Sequence, residues 1–71
     1  MFGEQVMNLK VNGYDRQFKG TTVAELLDEL RVMPARVAVE VNMNIVKKAE
    51  HGEFRLSEGD VVEIVNFVGG G

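Results

Sequence analysis

Apolar and polar residues alternate over Met7-Asn8-Leu9-Lys10-Val11, the period of a strand with one buried face. Asn12-Gly13 follows, a strong hairpin signal because both residue types tolerate positive φ. Tyr14 to Phe18 returns as a second strand, so Met7–Phe18 reads as an antiparallel hairpin. The period then changes. Val23, Leu26, Leu27 and Leu30 stand at i, i+3, i+4 and i+7 and form one apolar helix face. Asp28 and Glu29 lie on the other face. Thr22-Val23-Ala24-Glu25 has the capping-box spacing: the Thr22 hydroxyl can accept from the Glu25 amide while the Glu25 carboxylate reaches back. The helix should end by Met33, because Pro34 disfavours helical geometry in the residue before it.

Alternation resumes at Val37-Ala38-Val39-Glu40-Val41, with the valines on the buried side. Asn42-Met43-Asn44 reads as a turn and Ile45-Val46 as a short returning strand. Lys47 to Leu56 is irregular, with room for one helical turn, and Glu58-Gly59-Asp60 is a turn before a last strand from Val61 to Phe67. The element order is β-β-α-β-β-β. That is the order of a β-grasp domain, an α+β fold with a mixed sheet of four to five strands over one main helix. The first and last strands are then expected to pair in parallel at the sheet centre.

Alternation along the last strand puts Val62 and Ile64 on one face and Val61, Glu63, Val65 and Phe67 on the other. If Val62 and Ile64 face the helix, Val65 and Phe67 face outward at the base of the tail. Outward apolar side chains there, continued by Val68, are expected to form a docking surface for a partner. The strand runs directly into Gly69-Gly70-Gly71. Glycine buries no side chain and loses the most freedom on ordering. What such an arm does provide is a thin carrier for a terminal carboxylate, able to enter a narrow channel in another enzyme. Residues 1–68 therefore read as the domain and 69–71 as a flexible tail.

A length of 71 residues allows one domain with a small core. A substrate pocket would remove much of that core, which argues against a self-contained enzyme. The chain has no cysteine, hence no disulfide framework, thiolate metal site or thiol nucleophile. Net charge is −3 and the basic residues are scattered, so no nucleic-acid partner is expected. No apolar run approaches a membrane span and the start lacks the order of a signal peptide. A cytoplasmic protein without a membrane partner is the expectation.

Three further groups of residues carry the residue types of a reactive site. Glu50, His51 and Glu53 could suggest a metal, but no second histidine or cysteine completes a first shell. They read as a solvated loop, with no metal site. Paired carboxylates arise by accident among eleven acids in a chain this short, so no catalytic residue is assigned. Lys19-Gly20-Thr21-Thr22 has the residue types of a phosphate loop without its glycine spacing, and is better explained as a turn followed by the helix cap.

Taken together, these residues resemble the ThiS family of thiamine-biosynthesis sulfur carriers, which are ubiquitin-like β-grasp proteins. The likeness lies in Thr21–Leu27, in Val37–Asn42 and in the run from Gly59 to Gly71. It covers nearly the whole chain after Gln5. The family usually has Asn-Gly-Glu where this chain has Asn42-Met43-Asn44, and usually a proline near Lys47. Those departures bear on the turn, not on the tail. Sister carriers for molybdopterin typically show Pro-Pro shortly before the terminal glycines. Here Asn66-Phe67-Val68-Gly69 stands instead, which favours the thiamine branch.

The resemblance implies that a ubiquitin-activating-type enzyme uses Mg-ATP to adenylate the Gly71 carboxylate. Sulfur relayed by a cysteine desulfurase or sulfurtransferase then yields a C-terminal thiocarboxylate, which thiazole synthase consumes. No cofactor is expected on the carrier itself. Three alternatives stay open from the residues: a sulfur carrier for another product such as molybdopterin, a thiolated tRNA base or an amino acid; a ubiquitin-like modifier; or an interaction domain with an inert tail.

Overall fold

A computed structural model describes residues 6–67. Five strands and one α-helix follow in the order expected: β1 (Met7–Val11), β2 (Tyr14–Phe18), α1 (Val23–Glu29), β3 (Val37–Val41), β4 (Asn44–Val46) and β5 (Val61–Asn66). Two short 3-10 turns lie at Pro34–Arg36 and Lys48–Glu50. The sheet order is β2-β1-β5-β3-β4. β1 and β5 pair in parallel at the centre, and every other pairing is antiparallel. This is the β-grasp arrangement.

One sheet face packs on the helix. Val23, Leu26 and Leu27 are fully buried and meet Leu9, Val39, Val41 and Val62 from the strands in a single core. Leu30 and Ile64 pack at its margin. The valines of β3 are buried at alternate positions, as strand periodicity requires.

The helix is short, and its first-turn amides are all satisfied. Val23 N–H donates to the Phe54 carbonyl at 3.0 Å and Ala24 N–H to the His51 carbonyl at 2.9 Å. Glu25 N–H donates to the Thr22 hydroxyl at 3.2 Å, and Glu25 Oε1 accepts from the Thr22 amide at 2.9 Å. The expected capping box is present. Those two bonds from the 48–56 segment tie it to the helix start, compensating donors that a helix leaves orphaned. The helix ends earlier than the proline alone requires. Arg31 takes φ 60°, a left-handed residue just past the last turn, which closes a helix from its C-terminal side.

Gly20 is explained by contact rather than by a phosphate. A Cβ on it would stand 2.6 Å from Cζ of Phe18, whose ring is buried. The expectation that Glu50, His51 and Glu53 form a solvated loop needs correcting at one residue. His51 is only 4% exposed, and its Nδ1 has no hydrogen-bond partner among the described residues. Its carbonyl accepts from the Ala24 amide at the helix start. No helix among the described residues is long and apolar enough to cross a membrane.

Candidate functional site at the end of the last strand

β5 delivers the chain to its tail, and two hairpin asparagines brace it. β1 stops pairing with β5 at Val11 opposite Val62, which would leave Ile64 without a neighbour on that side. Asn12 supplies one. Its Oδ1 accepts from Ile64 N–H at 2.7 Å and its Nδ2 donates to the Ile64 carbonyl at 3.2 Å. A side-chain amide thus continues the ladder past the end of the strand. Asn42, in the β3–β4 turn, acts at the other end. Its Oδ1 accepts from Val61 N–H at 2.9 Å, and its own N–H donates to the Val61 carbonyl at 2.7 Å. Its Nδ2 bonds Asp60 at 2.9 Å. Beyond β5, Phe67 N–H donates to the Arg36 carbonyl at 2.7 Å.

Both asparagines sit at positive φ, 50° and 52°, each opening a turn with two such residues. That is the I′ geometry whose twist matches a hairpin. The sequence shows the turns but not the side-chain bonds. Nothing in the local pattern distinguishes a turn asparagine that reaches a third strand from one that does not.

With Val62 and Ile64 turned toward the core, the alternate residues of β5 face away from the helix. Val65 and Phe67 are each 55% exposed. Val68, Gly69, Gly70 and Gly71, the remaining residues singled out from the sequence, lie outside the described residues. The same outward face carries residues that only strand register could bring together. Ile45, 73% exposed, stands opposite Glu40, and Glu40 opposite Glu63. Ala38 pairs with Val65 in the next row.

Two carboxylates at the rim of the domain are held below their ordinary range. The Thr22 amide, and after it the Thr21 amide, lowers Glu25. The Asn8 amide and then its side chain lower Glu58, with bonds of 2.8 and 3.1 Å. Donors of this kind favour the ionised form. Both groups serve turns and caps, and neither lies on the outward face near Phe67.

Comparison with known proteins bears on this arrangement. The ThiS family model matches residues 9–71. A thiazole synthase of Paramagnetospirillum magneticum is 46% identical over 66 residues, which are 92% of this chain. The chain spans only 20% of the length of that relative. The sulfur carrier protein ThiS of Bacillus subtilis is 40% identical over 65 residues, 89% of this chain and 98% of the relative. The crystal structure of the thiamine biosynthesis protein ThiS from Geobacter metallireducens superposes with a TM-score of 0.78 at 36% identity. It covers 92% of this chain and all (100%) of that one. With the β-grasp fold, an outward apolar strand and a family match running through the terminal glycines, this chain belongs to the ThiS family.

Proposed function

We propose that the chain is a sulfur carrier of thiamine biosynthesis that works through the carboxylate of Gly71. The observation that supports the reading most is its likeness along nearly the whole length of a sulfur carrier, reaching to the last glycine. The chain is read as a protein substrate, not an enzyme. It supplies an acyl group, a thin arm and a surface, while its partners hold the nucleotide and the catalytic groups.

A carboxylate is a poor acyl donor because its leaving group would be oxide. A ubiquitin-activating-type enzyme, holding Mg-ATP, removes that obstacle. A Gly71 carboxylate oxygen attacks the α-phosphorus and pyrophosphate leaves, giving an acyl adenylate. The outer sulfur of a persulfide, supplied by a cysteine desulfurase or sulfurtransferase, attacks the acyl carbon and expels AMP. A second thiol cleaves the resulting acyl disulfide, releasing a mixed disulfide and leaving the thiocarboxylate. Thiazole synthase then takes the sulfur; the thiazole synthase relative that contains a similar segment supports this choice of acceptor. All of these steps belong to a cytoplasmic setting.

Val65, Phe67 and Val68 are proposed to dock on these partners, and Gly69 and Gly70 to thread a narrow channel. The test is intact mass after incubation with the activating enzyme, Mg-ATP and a sulfur source. One oxygen-to-sulfur exchange should appear, located on Gly71. Modification of an internal side chain would overturn the reading, and an isopeptide link to a lysine would indicate a modifier instead.

A further inference from the structure

Glu40 and Glu63 are directly opposite partners where β3 pairs with β5. Both point away from the helix, since their neighbours Val39, Val41 and Val62 are buried. Like charges in this position destabilise a sheet. Neither carboxylate has an ion-pair or side-chain hydrogen-bond partner among the described residues, where the ion pairs are Lys10–Asp15 and Arg16–Glu29. Glu40 is also half-buried. The neighbours of the pair along β3, β4 and β5 are apolar, and Lys10, outward on β1 opposite Val61, is taken up by Asp15 at 3.7 Å. Ile45 lies opposite Glu40, Val61 and Val65 flank Glu63 along β5, and Ala38 adjoins Glu40 along β3.

Covering this face with a purely apolar surface would strip water from two carboxylates with nothing in return, which is costly. A second copy of this chain fits no better. An isologous contact through the same patch would bring further carboxylates against these two. We infer that the face receives a protein surface with one cationic side chain set among apolar groups, seated between Glu40 and Glu63. An arginine suits the position best, because its planar fork can bond both carboxylates. The occupant is the synthase that takes the sulfur, a choice supported by the thiazole synthase relative that carries a segment 46% identical to this chain, and in that respect the inference rests on the proposed function. Val65 leads directly to Phe67 at the base of the tail, so an enzyme that receives Gly71 already stands beside this face.

The experiment compares wild type with the double variant Glu40→Gln, Glu63→Gln in the full chain. Thermal unfolding and binding to purified thiazole synthase are measured on both, the latter by titration calorimetry at low and high salt. The variant should melt at the same temperature or higher, because a repulsion is gone. Its affinity should fall by about tenfold or more at low salt, the scale of a lost charge-assisted contact. That difference should shrink as salt rises. Equal affinity and equal salt dependence in the two proteins would overturn the inference and leave the sulfur-carrier reading standing. A variant less stable than wild type would overturn it too, since the carboxylates would then have partners within the domain. Wild type that self-associates through this face, by sedimentation, counts against it in the same way. Failure of wild type to bind the synthase at all would remove both the inference and the choice of acceptor.

Discussion

Met43 occupies φ 73° in the β3–β4 turn and is 84% exposed. Left-handed backbone costs an L residue roughly 1–2 kcal/mol, and glycine escapes most of that cost. So exposed a side chain buries little that could offset the strain. Met43→Gly should therefore raise stability by about 1 kcal/mol, less whatever glycine adds to the freedom of the unfolded chain. For a domain of this size that is a rise of roughly 4–8 °C in melting temperature. An unchanged or lower value would show that the turn is not strained at Met43. Phe67 presents the opposite case, an exposed aromatic with no role in the core. Phe67→Asp should leave unfolding unchanged while weakening partner binding. Burial against a partner would be worth roughly 1.5–3 kcal/mol. A variant that unfolds early would place the ring in the fold instead.

At the scale of elements, the helix and the 48–56 segment depend on one another. The segment caps the helix amides, and the helix start holds the segment in place. Glu25 takes part through its bonds to Thr21 and Thr22, at 2.6 and 2.9 Å. Its carboxyl is lowered from the ordinary value of 4.5, chiefly by the Thr22 amide. The sign follows from linkage. A carboxyl whose folded value is depressed stabilises the protein above its unfolded value. That contribution is lost as pH falls through the folded value. Melting temperature should thus decline as the medium is acidified below 4.5, and Glu25→Gln should make the decline shallower while lowering the neutral-pH value. Equal acid slopes in the two proteins would rule out Glu25 as a contributor. Leu27 tests the packing of the same helix. It is fully buried, and Leu27→Ala should cost about 2–5 kcal/mol by transfer and cavity terms, read by denaturant unfolding.

For the whole molecule, stability and the proposed activity reside in different places. The core lies between one sheet face and the helix, while the proposed chemistry lies at Gly71 and on the opposite sheet face. Variants should separate them. Gly70→Val is expected to melt like wild type yet block thiocarboxylate formation, because a branched side chain cannot follow glycine through a tight channel. Leu27→Ala should do the reverse at temperatures where it remains folded. Equal thiocarboxylate yield from Gly70→Val and wild type would refute the narrow-channel argument. The parallel β1–β5 pair matters at this scale. It places the last strand at the sheet centre, where Asn12, Asn42 and the Arg36 carbonyl hold it along its length. The chain therefore leaves a rigid base at Phe67.

Local physics determined much of this protein in advance. Two-residue alternation gave most of the strands, the Asn12-Gly13 turn gave the returning strand Tyr14–Phe18, the spacing from Val23 to Leu30 gave the helix, and Thr22 with Glu25 gave its start, because each depends on residues close together in the chain. Alternation from Val62 set Val65 and Phe67 on the face opposite Val62, and the burial of Val62 showed that face to be the outward one. The family resemblance rested on similarly local runs. Contacts distant in sequence were decided only by the tertiary structure. The opposition of Glu40 to Glu63 depends on the register of two strands joined by a long connection, and a shift of one residue would turn one carboxylate inward. Asn12 reaches Ile64 across 52 residues, a bond that no turn signal encodes. His51 looked like a loop residue because its neighbours are polar. The fold buries it beside the helix start, where its carbonyl accepts from the Ala24 amide, a contact with a residue far from it in the chain.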